Sequence, residues 1–405
     1  MRIAYVSADV GVPVFGAKGA SVHVRELARA LHSLGHELLI VTARAGGAAP
    51  ADFHVPVREL PHRPAADPAA TGIERRALQA NAAMRSYGGT ILHEFRPDAV
   101  YERYSLFGTA GAELAAQFDV PFLLEVNAPL VDEQATHRGL DSPAAARRVE
   151  RRLLRSSDHV IAVSQRLRRW LLELGLDRRR VTVIPNGVDA QRFRPPAREA
   201  AGALEKQLRL DGRPLVGFLG TLKPWHDVAT LIRAVALLQR DPPPPRLLVL
   251  GDGPERARLE EIARREGLGS SAIFTGSIPY ERVPAYLAAL DVAVAPYGPA
   301  DGFYFSPLKL FEYLAAARPI VAAAVGDIGH CIRPGATGCL YPPGDVAALA
   351  GSIRALLEDR ERAAALGRAG REHVCEQHTW QANARAVVEL VRGELDARRS
   401  RRCAS

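Results

Sequence analysis

Cysteine, tryptophan and methionine are scarce in this chain, and what cysteine there is forms no pattern. Cys331, Cys339, Cys375 and Cys403 all fall in the last quarter of 405 residues, and none makes a C-x-x-C pair. Neither a zinc site nor a redox motif is signalled. Twelve histidines are scattered without an H-E-x-x-H or a His/Asp cluster, so no metal and no cofactor is expected. No apolar run approaches the roughly 20 residues that a membrane-spanning helix needs. The opening MRIAYVSADVG has too short an apolar stretch for a secretory signal, and a reduced, cytoplasmic setting is the simplest reading. The 53 Lys and Arg against 45 Asp and Glu suit anionic partners in general. Nucleic acid ranks last among them, because the basic residues lack aromatic interleaving and no known module is present.

The length exceeds one ordinary hydrophobic core and predicts two domains of about 200 residues each. Apolar runs at 3–7, 36–42, 99–102, 121–126, 159–163 and 181–184 read as strands separated by helical or polar stretches. SVHVRELARALHSLG, opened by Ser21, carries Val24, Leu27, Leu31 and Leu34 at helical spacing and ends at Gly35. Residues 190–213, rich in Arg, Pro, Ala and Gly, read as a linker with a short helix. A second series follows, with strands at 215–219, 247–250, 272–275, 291–295, 319–323 and 338–341. Helices are expected at about 227–239, up to 265, 345–358, 360–372 and 379–397. Strands alternating with helices imply parallel sheets covered on both faces, hence two doubly wound, Rossmann-like α/β domains facing a cleft.

Two segments carry chemistry. In SPLKLFEYLAAARP, Ser306 is suited to N-cap a helix and Pro307 to its first position. Lys309 then sits in the first turn, where the helix dipole disfavours a cation. A cation there makes sense if an anion is held by it and by the free N–H groups. Glu312 lies one turn on, placed to accept hydroxyl protons from a ribose; a surface Lys–Glu pair is the plainer alternative. Earlier, Gly16, Ala17, Lys18 and Gly19 lie between a strand and a helix, where glycines admit a phosphate to the backbone. The spacing matches neither a Walker loop nor G-x-G-x-x-G, and taken alone a tight turn is the better explanation of it.

The whole chain resembles a family 4 glycosyltransferase of the GT-B fold. The likeness runs through KGASVHVRELARALHSLGHELLIVT, DHVIAVSQRLRRWL, VTVIPNGVDAQRF, LLVLGDGPERARLEEIA, IFTGSIPYERVPAYLAALDVAVAPY, SPLKLFEYLAAARPIVAAAVGDIGHCI and GATGCLYPPGDVAALAGSI, in order. It implies an acceptor-binding domain over 1–188 and a donor-binding domain over 189–405, with the last helix, about 379–397, able to pack back on the first domain. It also implies metal-independent, retaining transfer of a hexose or aminohexose from a UDP- or GDP-sugar to an acceptor hydroxyl. By the likeness Glu312 holds the ribose, and Ser306, Pro307, Leu308, Lys309, Lys18 and Gly19 lie by the diphosphate. Gly251 and Gly253 line the nucleotide, and Ile278 lies beside the base.

This sequence departs from the family pattern at three places. The earlier of two glutamates falls on Tyr304; an Arg and Lys pair falls on Thr221 and His226, with Lys223 close enough to supply charge; and an acceptor-side histidine falls on Asn127. Glu125, Glu133 and Arg103 are the further polar candidates on the acceptor side, each with a structural alternative. The catalytic candidates are Lys309, Lys223 and Glu312; Lys309, Lys223 and Lys18 are the cations expected to stabilise the leaving diphosphate. No carboxylate nucleophile is evident, so front-side attack assisted by the departing phosphate is the expected mechanism. A catalytically idle sugar-nucleotide-binding protein and a nucleotide-sugar epimerase are the alternatives. The basic segment 146–157 reads as a solvated surface helix, with peripheral contact to anionic lipid as its alternative. The stretch 43–86 is expected to shape the acceptor pocket.

Overall fold

Parallel strands need crossovers, and the sequence supplies a helix after nearly every one. The computed structural model describes residues 1–61, 72–137, 139–195, 204, 206–208, 210–299 and 304–404. It divides into two compact units: Met1–Pro185 with Trp380–Ser405, and Asn186–Thr379. The chain thus crosses between units at 185/186 and again at 379/380; the sequence reading placed the first crossing at 188/189 and had the last helix, about 379–397, able to return to the first domain.

The first unit holds β1 (Arg2–Ser7), β2 (Glu37–Thr42), β3 (Val57–Glu59), β4 (Ala99–Arg103), β5 (Phe122–Val126), β6 (His159–Ala162) and β7 (Val181–Val183), in the order β3-β2-β1-β4-β5-β6-β7. The second holds β8 (Leu215–Leu219), β9 (Arg246–Leu250), β10 (Ala272–Gly276), β11 (Val292–Ala295), β12 (Ile320–Ala323) and β13 (Cys339–Tyr341), ordered β10-β9-β8-β11-β12-β13. Every pairing is parallel. Because both faces are covered, the strands are continuous apolar runs: Leu247, Leu248, Val249 and Leu250 are fully buried, as are Val292, Ala293, Val294 and Ala295. In each unit the order reverses next to its first strand, between β1 and β4 and between β8 and β11. Such switch points, at the carboxyl ends of the strands, are where α/β sheets bind ligands.

Three expectations change. The stretch 43–86 contains β3 and the start of the helix Ile73–Phe95, while 62–71 lies outside the described residues. β3 is short and half polar, which hid it. The helix of the 190–213 linker falls largely on residues outside the description. The last two helices run Arg360–Gln377 and Trp380–Ala404, longer than read, because their final turns are polar and carry little hydrophobic signal. The helix Trp380–Ala404 packs on the helix Gly19–Ser33 within the first unit. Among the described residues, no helix is long and apolar enough to cross a membrane.

Candidate active site

The switch point of the second unit is built by close backbone approach. Gly251 has φ +138°, and a Cβ there would lie 2.0 Å from the Gly220 carbonyl oxygen. A Cβ on Gly253 would meet the Leu222 oxygen at 2.4 Å. Gly220 N–H donates to Leu250 and Leu222 N–H to Asp252, each at 2.9 Å, and Gly251 N–H to Gly276 at 3.1 Å. Only glycine permits these loops to nest. Gly251 and Gly253, read from sequence as lining the nucleotide, also serve loop packing at the strand ends.

The helix Leu308–Ala315 enters this region. Its first residue is Leu308, with Pro307 at the N-cap and no side-chain cap. This corrects the expectation that Ser306 caps it. The Ser306 hydroxyl instead accepts the Asn186 N–H at 2.9 Å, and the Ser306 carbonyl accepts the Asn186 amide, so the PNGVD turn tethers the approach to the helix. Further along, Tyr313 accepts the Leu219 N–H at 2.7 Å, which ties the helix to the end of β8.

Lys309 is buried, and its Nζ makes no hydrogen bond. It lies 4.1 Å from the Phe218 ring centroid and 5.3 Å from that of Tyr297. It also covers Gly220, where a Cβ would come within 2.8 Å of Nζ. Burial pushes its pKa down to about 7, against the opposing pull of Glu312. Glu312 is itself buried, one turn on.

His226 stands beside Phe218, Tyr297 and Trp225, with centroid separations of 5.6, 5.5 and 6.1 Å. Its Nδ1 faces the Thr221 carbonyl at 2.5 Å. A carbonyl only accepts, so Nδ1 carries the proton and Nε2 keeps a lone pair. Burial, then the charges of Lys309 and Lys223, push its pKa down to about 2, so the ring is neutral. Lys223 is partly exposed over Trp225. Ile278 packs against the core beyond β10, and the Tyr304 ring lies tilted against that of Phe305.

In the first unit, Lys18 and Gly19 are exposed at the start of the helix Gly19–Ser33, which begins two residues before the expected Ser21. Lys18 is its N-cap, without a side-chain cap bond, and its Nζ donates to the Gly11 carbonyl at 3.1 Å. Arg25, missed in the sequence, holds the loop by donating to the Val14 and Gly16 carbonyls at 2.7 and 2.8 Å.

Glu125 is the hub of a buried network on β5. It accepts from His23 Nε2 at 2.8 Å, Asn127 Nδ2 at 2.6 Å, Arg103 at 3.4 Å and the Tyr101 hydroxyl. Arg103 and Glu125 are register partners across β4 and β5, so the inter-strand salt bridge is the observed role of Arg103. Burial would raise the Glu125 pKa, but His23, Arg103 and the Tyr101 hydrogen bond hold it down at about 2. His23 also meets Trp380 edge-on at 5.0 Å. Glu133 lies partly exposed on the helix Leu130–His137 and is not among the described partners of Glu125. Glu102, also unread in the sequence, is fully buried with neither carboxyl oxygen hydrogen-bonded. The Gly111 N–H faces it without reaching bonding geometry, and burial pushes its pKa up to about 8. No group of three metal-binding side chains occurs among the described residues.

Comparison with known proteins agrees with the geometry. Residues 17–192 match the family model for Glycosyltransferase Family 4, and residues 203–373 that for Glycosyl transferases group 1. A D-inositol 3-phosphate glycosyltransferase of Nocardia farcinica is 33% identical, covering 74% of this chain and 67% of its own. A glycogen synthase of Mycobacterium tuberculosis is 28% identical over 99% of this chain and 96% of its own. The Anabaena protein HepE, solved with UDP-glucose, superposes with a TM-score of 0.75 at 20% identity, over 97% of this chain and 100% of its own. The chain therefore belongs to glycosyltransferase family 4, as an enzyme with the GT-B fold.

Proposed function

We propose that this enzyme moves a hexose or aminohexose from a UDP- or GDP-sugar to an acceptor hydroxyl, with retention at the anomeric carbon and without a metal. The second unit takes the donor and the first the acceptor. The observation that carries the reading is Lys309: a buried ammonium without a hydrogen bond, at a switch point, on a helix whose N-terminus has no side-chain cap. A buried cation without a hydrogen-bond acceptor is costly even above aromatic rings, and a diphosphate supplies the missing acceptors. The complex of the Anabaena neighbour with UDP-glucose favours UDP.

Negative charge develops on the leaving diphosphate as the bond from the anomeric carbon to its phosphate oxygen breaks. Lys309, Lys223 and the N–H groups opening the helix Leu308–Ala315 stabilise that charge. The acceptor oxygen bonds to the anomeric carbon on the same face, and its proton passes to the departing phosphate. His226, neutral with Nε2 as an acceptor, is suited to a sugar hydroxyl rather than to the phosphates. Glu312 accepts from the ribose hydroxyls.

Water serves as the acceptor in the test. The purified enzyme is incubated with UDP-glucose and, separately, GDP-mannose, and the released sugar is followed by NMR before it mutarotates. Release first as the α-anomer supports retention, and release as the β-anomer contradicts it.

A further inference from the structure

We propose that Asn127 selects acceptors carrying a second hydrogen-bond donor beside the reacting hydroxyl, and that Glu125 is the positioning residue that holds Asn127 in this role. The inference rests on the transferase reading above and deepens its acceptor side.

Glu125 anchors the arrangement. Its carboxylate is ionised, held down at about 2 by its partners, and an ionised carboxylate only accepts. The Asn127 side chain, whose terminal atom lies 2.6 Å from Glu125 Oε1, must therefore present its NH2 group there. Its carbonyl Oδ1 is then compelled to face elsewhere. That atom is buried and makes no hydrogen bond, although the residue as a whole is partly exposed. Buried polar atoms are paired in nearly all native structures, so an orphaned acceptor just beyond the carboxyl end of β5, beside the switch point of the first sheet, marks a place where a ligand donates.

The donor is not the reacting hydroxyl. That group has one proton, and in the proposed reaction it leaves with the phosphate. Asn127 therefore receives a neighbouring O–H or N–H of the same acceptor. This points to a polyhydric or amino-bearing acceptor such as a sugar or cyclitol, and away from a simple monoalcohol. An amide oxygen has no useful basicity, so Asn127 positions the acceptor without taking its proton.

The groups facing Glu125 and Asn127 are His23 from the helix Gly19–Ser33, Tyr5 from β1, and Tyr101 and Arg103 from β4. Only a change at Asn127 itself introduces a second carboxyl among them. In Asn127→Asp, the added acid and Glu125 share one proton at low pH. Protonated, the new side chain donates to Glu125 and leaves a carbonyl oxygen free, as the amide does. With both ionised, repulsion breaks the arrangement.

The experiment follows nucleotide release from UDP-glucose or GDP-mannose, whichever binds, with myo-inositol, methyl α-glucopyranoside and 2-deoxystreptamine against cyclohexanol and n-butanol. Expected is stimulation by at least one of the first three and by neither monoalcohol. Asn127→Ala should raise the KM of that acceptor about tenfold or more with kcat and nucleotide Kd little changed. Asn127→Asp should show a wild-type KM at pH 5.5 that climbs as pH rises to 8, while the wild-type KM stays level. Equal use of monoalcohols, an unaltered KM in Asn127→Ala, a flat profile in Asn127→Asp, or donor hydrolysis that no polyol stimulates would each overturn the inference and leave the donor site standing. Failure of wild-type enzyme to bind either nucleotide would instead remove the transferase reading on which the inference rests.

Discussion

Glu125 and Lys309 are buried charged side chains at the carboxyl ends of the two sheets, and they are treated in opposite ways. Glu125 receives four donors, and its pKa is held down at about 2 in spite of complete burial. The Lys309 amine finds no hydrogen-bond acceptor, and burial brings its pKa down to about 7. A satisfied buried charge is rigid and orients its neighbours. One without hydrogen bonds destabilises the empty protein, with only Glu312 and two aromatic rings to offset the burial. On the proposed function, the contrast separates a site that positions from a site that binds.

The largest expected effect comes from the backbone beneath Lys309. Gly251→Ala places a Cβ 2.0 Å from the Gly220 oxygen at a φ of +138°. It should cost about 3 kcal/mol or more and abolish nucleotide binding, measured by thermal unfolding and calorimetry. A stable, binding variant would mean that the loops need not nest.

Breaking the satisfied charge is next. Glu125→Gln leaves Arg103 and His23 facing a neutral amide and should destabilise by about 3 kcal/mol at pH 7. Because the folded pKa lies below the ordinary 4.5, the stabilisation by Glu125 is present above pH 4.5 and lost as pH falls toward 2. The gap between wild type and variant should close over that window.

Removing the Lys309 charge should do the reverse. Lys309→Met should cut turnover by about a hundredfold while raising the Tm of the ligand-free enzyme. The unfolded lysine binds its proton below pH 10.5 and the folded one only below about 7. Wild-type stability therefore declines as pH falls across that interval and levels off below it, so the Tm gain should be largest at pH 7 and shrink toward 10.5. A loss of Tm would show that the amine is already paired in the empty protein.

Glu102 is a buried charge avoided by protonation, and its effect is read as a slope rather than a loss of function. Its folded pKa of about 8 exceeds the ordinary 4.5, so its contribution is complete below pH 4.5 and lost as pH rises to 8. Glu102→Gln should flatten that part of the pH–Tm profile. An unaltered slope would place the proton elsewhere.

The strands were legible because a sheet covered on both faces demands continuous apolar runs, as at Leu247–Leu250 and Val292–Ala295. Lys309 was legible for a different reason: a cation in a first helical turn breaks a local rule and calls for an anion. Ser306 misled because its hydroxyl is engaged by Asn186, 120 residues away in sequence, which no local pattern records. The Glu125 hub was hidden in the same way. His23 lies 102 positions from Glu125, and the helical spacing around it records nothing of that partner. The third strand, Val57–Glu59, carries too few apolar residues to announce itself.

Calorimetric titration of the wild type and of Glu312→Ala with UDP and with GDP tests the central claim most directly. The account predicts saturable binding of one nucleotide by the wild type. In the variant that binding should weaken by about 2 kcal/mol, or roughly thirtyfold, as charge-assisted bonds to the ribose are lost. Equal affinity in the two proteins, or no binding by the wild type, would contradict it.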